Sequence, residues 1–139
     1  MSNPGQIRFV LELLDAAASV QRRFDGALAN IRGVSFSEYR LLLTLSRQPS
    51  ESATRVELAR LVGLSPSAVT RALKPLEKLG YVRTKRGPRD ARQALAKLTE
   101  NGRILLSDCE SVVEDVVRGL ELNDEAKERG IALLSALRR

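Results

Sequence analysis

Between Thr54 and Pro66 the chain carries a helix start, a helix stop and a second helix start, and this spacing constrains its fold more than any other feature. Thr54 followed by Glu57 is a capping-box pattern, in which each side chain satisfies a free backbone N–H at the head of a helix. Gly63 closes that helix, and Ser65 with Pro66 opens the next one, the proline taking the first turn, where its missing N–H costs nothing. Val56, Leu58, Leu61 and Val62 are the apolar positions of the first, short helix. Advancing at about 100° per residue from Pro66 to Leu79 sorts the second helix cleanly. Val69, Ala72, Leu73, Leu76 and Leu79 fall on one side, and Ser67, Thr70, Arg71, Lys74 and Lys78 on the other. Pro75 removes the amide that would bond to the Arg71 carbonyl, so a bend is expected there.

Charge singles out the same stretch. Residues 51–98 hold eleven basic side chains against four acidic ones, a net of +7, while the whole chain of 139 residues has a net charge of +6. One third of the sequence therefore carries all of the excess, as expected of a surface that meets a polyanion.

The flanking segments read as helices. From Gln6 to Arg32 the residues Val10, Leu13, Ala17, Val20, Phe24, Ala27 and Ile31 recur at steps of three and four, drawing an apolar seam that Gly33 ends. A helix of about 26 residues is about 39 Å long, longer than a small domain is wide, so part of the seam calls for a partner, and self-association is the economical one. Ser35 and Glu38 form another capping box, opening a helix that ends near Gln48, before Pro49. After Gly80, residues 81–84 and 93–98 read as two strands around a basic loop. Thr99 caps a long fifth helix with a stripe of Leu105, Cys109, Val112, Val116 and Leu120, and Asn123 caps a sixth that runs toward Leu137.

Several function classes are excluded on composition. The chain has no His, the commonest general base and zinc ligand, and its one cysteine, Cys109, allows neither an intramolecular disulfide nor a multi-thiolate metal site. The apolar neighbours of Cys109 and the adjacent Asp108 and Glu110 favour a buried structural thiol over the alternative of a redox sensor. With no paired carboxylates, activated nucleophile or phosphate-binding glycine loop, neither an enzyme nor a cofactor is expected. The apolar runs are too short to span a bilayer, and a cytoplasmic protein without membrane contact is the default.

A short helix, a glycine turn and a helix with a basic outer face make a helix-turn-helix, whose second helix lies in the major groove of double-stranded DNA. A basic hairpin directly after it makes a wing, able to reach phosphate and the neighbouring minor groove. Ser67, Thr70, Arg71 and Lys74 are the candidates for the major groove, Arg71 being suited to bidentate bonding with guanine. Ser65 and the N-terminal amides of that helix suit phosphate oxygens. Lys85, Arg86, Arg89, Asp90 and Arg92 are the wing candidates. The same basic face also fits a winged-helix interaction module that binds an acidic protein surface, which would show no preference for a palindrome over random duplex.

The runs Val56-Glu57-Leu58-Ala59, Leu64-Ser65-Pro66-Ser67-Ala68-Val69-Thr70-Arg71, Leu76-Glu77-Lys78-Leu79-Gly80-Tyr81-Val82, Arg89-Asp90-Ala91-Arg92 and Leu98-Thr99-Glu100-Asn101-Gly102, in this order, resemble the MarR family of transcription regulators. The resemblance covers nearly the whole chain. It implies a mainly α fold with a small β-hairpin wing, a winged helix-turn-helix with long terminal dimerisation helices. Residues 34–98 would form the DNA-binding domain, and 1–33 with 99–139 the dimerisation region. It further implies a homodimer on a palindromic operator, read as a ligand-responsive repressor with an activator left open by the sequence, and a small-molecule effector bound between the two parts, whose identity no residue pattern names. Phe36 and Tyr39 are candidates for lining that cleft, although core packing explains them as well. Asp90 and Arg92 match the family's Asp-x-Arg wing element, in which the carboxylate orients an arginine entering the minor groove. Gly87 and Ala91 depart from the acidic and arginine residues usual at those places, so fewer wing contacts are expected.

Overall fold

The computed structural model describes residues 3–86 and 94–139. Six helices lie among the described residues: α1 (Pro4–Leu28), α2 (Phe36–Ser46), α3 (Arg55–Val62), α4 (Pro66–Lys78), α5 (Glu100–Gly119) and α6 (Asp124–Leu137). Local capping sets where they begin. The Ser35 hydroxyl accepts from Glu38 N at 3.1 Å while the Glu38 carboxylate accepts from Ser35 N at 3.0 Å. Thr54, Ser65, Thr99 and Asn123 each accept from the amide three residues on. Helix α1 starts two residues earlier than the seam suggested, capped by Asn3, and ends at Leu28 instead of Arg32. Arg32 and Gly33 both lie in the left-handed region, at φ 52° and 69°, a backbone that no α-helix can continue through. Asp25 Oδ1 then accepts from Phe36 N at 2.7 Å, fixing the entry to α2 against α1.

Strand β1 (Ser52–Thr54), which sequence reasoning missed, joins β2 (Val82–Lys85) and β3 (Leu95–Leu98) in an antiparallel sheet of order β1-β3-β2. Ala53, Ala96, Val82 and Leu98 are buried on one face of this sheet, packed on the helices. The central strand is thus the last in sequence, and the expected hairpin has a third strand on its inner edge.

One continuous core holds the chain together. Leu41, Leu42 and Leu45 of α2 meet Leu58 and Val62 of α3, Val69, Leu73 and Leu76 of α4, and the sheet. Phe24 and Leu28 of α1 and Leu105 and Cys109 of α5 belong to the same cluster, so the terminal helices share the core of the middle segment. Three assignments to the apolar interior fail. Val56 is 67% and Leu79 61% exposed, and Leu61 also faces outward. Val56 stands in the first turn of α3, opposite the buried Leu58, Ala59 and Val62, and Leu79 is the C-cap of α4, already beyond its regular turns. Helix α4 continues through Pro75 to Lys78, and Leu79 N donates to the Pro75 carbonyl at 3.0 Å, so the missing amide does not end the helix.

Candidate nucleic-acid interface

Burial of Val69, Leu73 and Leu76 fixes the rotation of α4, and the opposite face is left outside. Ser67, Arg71 and Lys74 are exposed on it, and Thr70 is half-buried at its edge. Among the described residues, Arg71 and Lys74 enter no ion pair. The Thr70 hydroxyl donates to the Pro66 carbonyl at 3.0 Å, so toward a ligand it offers lone pairs and a methyl group but no hydrogen. Ser65 Oγ accepts from Ala68 N at 3.1 Å, which leaves its hydroxyl hydrogen for an external acceptor beside the free amides of the first turn. The expected groups are therefore brought onto one surface, with Thr70 more restricted than its sequence position suggested.

In the wing, Lys85 is exposed at the end of β2 and Arg86 just beyond it. Arg89, Asp90 and Arg92 lie outside the described residues. Inward from Lys85, the Thr84 hydroxyl donates to Glu77 Oε1 at 2.5 Å, and Arg55 Nη2 donates to the same oxygen at 3.2 Å. Sequence reasoning passed over this cluster. Its signal was an acidic residue in the last turn of an otherwise basic helix, the end at which the helix dipole disfavours an anion.

Elsewhere the charged contacts hold loops in place. Arg103 pairs with Glu51 at 2.6 Å and Lys97 Nζ donates to the Ser50 carbonyl at 3.2 Å, clamping two consecutive residues with positive φ ahead of β1. Arg32 pairs with Asp108 at 2.6 Å, tying the α1–α2 turn to α5. Phe36 stacks on Phe24 with ring centroids 4.5 Å apart and also borders a recess of about 70 Å³ with Gln21, Arg40, Val62 and Leu64. Among the described residues no cluster of His, Cys, Asp and Glu suits a metal ion, and no helix is long and apolar enough to cross a membrane.

Residues 32–93, from the end of the α1 turn through the wing, match the sequence pattern of the MarR family. The chain belongs to the MarR family. Transcriptional regulators of two bacteria carry the likeness over a longer stretch than the matched segment. The HTH-type transcriptional regulator YdgJ of Bacillus subtilis is 33% identical over 101 residues, 73% of this chain and 60% of that protein. The transcriptional regulator AdcR of Streptococcus pneumoniae is 39% identical over 95 residues, 68% of this chain and 63% of that one. The chain thus spans somewhat under two thirds of the length of these relatives. In fold, it is similar to Sco3205, a MarR family transcriptional regulator of Streptomyces coelicolor solved in complex with DNA. The TM-score is 0.89 over 99% of this chain and 92% of that one, at 24% identity. The MarR-type arrangement of helices and wing expected from the sequence is the one observed.

Proposed function

We propose that this MarR-family chain is a transcriptional regulator that binds a palindromic operator in double-stranded DNA as a homodimer, and that it is a ligand-responsive repressor. The observation that carries the reading is the outer face of α4, where Ser67, Arg71 and Lys74 project from a helix locked by its buried side and have no competing partner among the described residues. Such a face suits the major groove: Arg71 can bond guanine O6 and N7 together, and Thr70 can accept from a base amine or pack its methyl on thymine. Ser65 and the α4 amides suit phosphate, as do Lys85 and Arg86 on the wing, with Arg89, Asp90 and Arg92 completing the wing in sequence. The DNA complex of Sco3205 supports the reading by similarity of fold.

Support for the dimer comes from α6. None of its residues is buried in the single chain, yet Ile131, Leu133, Leu134 and Leu137 are apolar, and Ile7, Val10, Leu11 and Leu14 of α1 are exposed as well. A second copy covering both helices assigns 1–33 and 99–139 to dimerisation and 34–98 to DNA. It also sets two α4 helices about one DNA turn apart, roughly 34–36 Å, on an inverted repeat. For the effector, the recess beside Phe36 is smaller than the roughly 150 Å³ that holds a benzene ring, so an aromatic ligand there must open the packing between α1, α2 and the α3–α4 turn, which is how binding would favour one state over another.

Selection of bound sequences from a random duplex pool tests the proposal. The expected product is an inverted repeat with half-sites one turn apart. Recovery of no sequence, or equal retention of palindromic and random duplex, removes the operator reading and leaves a basic module for an acidic protein partner.

A further inference from the structure

Glu77 is the sole acidic residue of α4 and stands in its last turn, where unsatisfied carbonyls disfavour a negative charge. It also lies in a segment whose charge is otherwise matched to phosphate, so a specific partner has to compensate it. That partner is double. Thr84 Oγ1 of β2 donates to Glu77 Oε1 at 2.5 Å, and Arg55 Nη2, from the first residue of α3, donates to the same oxygen at 3.2 Å while lying 3.4 Å from Thr84 Oγ1. One carboxylate thereby joins both helices of the helix-turn-helix to the wing strand.

The topology gives this contact its weight. Strand β2 is at the edge of the sheet, paired only to β3, and of its four residues only Val82 is buried. Thr84 lies opposite Ala96, whose side chain is on the helix-facing side, so its hydroxyl points inward to α4. Beyond Val82, Thr84 supplies the side-chain hydrogen bonds from β2 to the helix layer among the described residues, to Glu77 of α4 and from Arg55 of α3, and the next residues are Lys85 and Arg86.

We infer that Glu77, held by Arg55, is a positioning residue that fixes the direction of the wing relative to the recognition helix. It touches no ligand itself. It lowers the ordering cost of wing contacts by holding β2 in place beforehand, and Arg55 neutralises the carboxylate so that it does not repel nearby phosphate. The inference deepens the DNA-binding reading above and rests on it.

The test combines Thr84→Val, which keeps the β-branched shape and removes the donor, and Glu77→Gln with the wing pair Lys85→Ala and Arg86→Ala, using the full chain and a duplex from the selection. In the wild-type background the wing pair is expected to weaken binding about tenfold, and in the Thr84→Val or Glu77→Gln background less than about threefold, the signature of coupled sites. Amide hydrogen exchange of the free protein should quicken in β2 and leave α4 and α5 unchanged. A wing-pair penalty equal in all backgrounds, zero included, overturns the positioning role, and so does exchange that quickens evenly across α4 and α5. If the wild-type chain binds no duplex at all, the DNA reading fails by itself, and exchange at β2 in Thr84→Val alone decides whether the tether holds.

Discussion

Gly102 shows how tightly single residues are fitted around the sheet. Thr99 N donates to the Tyr81 carbonyl at 3.1 Å and the Thr99 hydroxyl donates to the Gly80 carbonyl at 2.6 Å, drawing the start of α5 onto the turn after α4. A Cβ on Gly102 would stand 2.3 Å from the Tyr81 carbonyl oxygen and 2.6 Å from Leu98 Cδ1. Gly102→Ala is therefore expected to lose about 1–3 kcal/mol of stability, read as a lower urea midpoint with an unchanged slope. Cys109 gives a second expectation. Burial pushes its thiol above the ordinary value, Asp108 adding to the effect and Arg32 opposing it, and burial also raises the Tyr39 phenol. The unfolded chain releases both protons at lower pH than the folded one. Their contribution is therefore complete below the unfolded thiol's pKa of about 8.5 and declines as pH rises through the folded values. Urea midpoints measured between neutral and strongly alkaline pH should fall, and Cys109→Ala should flatten part of that fall.

Among the elements, the proposed DNA contacts rest chiefly on α4. If Arg71 reads a base as proposed, Arg71→Ala is expected to cost about 1–3 kcal/mol of binding and to relax specificity at one base position, whereas Lys74→Ala should weaken binding more evenly across sequences. Competition titrations with the selected operator and its point variants distinguish the two. The elements also show what a sequence discloses. Helix starts were legible because a cap is a local event: Ser35, Thr54, Ser65, Thr99 and Asn123 each bond an amide three residues away. Strand β1 was not, since three residues exist as a strand only through pairing of Ala53 with Ala96, forty-three positions on. The basic face of α4 was legible from periodicity, but the positions of Val56, Leu61 and Leu79 depended on which neighbours reach them. The Arg55–Glu77–Thr84 cluster escaped because its members come from three elements that only the fold brings together.

For the whole molecule, the apolar outer surface of α1 and α6 is the dominant unanswered contact of the single chain. Leu134→Glu places a charge in that surface without touching the buried core. It is expected to leave helix content unchanged, to halve the mass measured by light scattering, and to lower operator affinity by far more than one lost contact would, because two linked heads bind with a shared effective concentration.

The sharing of one core between Phe24 and Leu28, Leu105 and Cys109, and the helix-turn-helix couples the terminal helices directly to α3 and α4. In the proposed pair each chain then works as a single lever with its fulcrum at the terminal helices. A tilt of about 5° at one end of α1, some 37 Å long, swings its far end by about 3 Å. That is close to one base-pair step, so a small change at the fulcrum is enough to carry the reading heads out of register with a fixed operator.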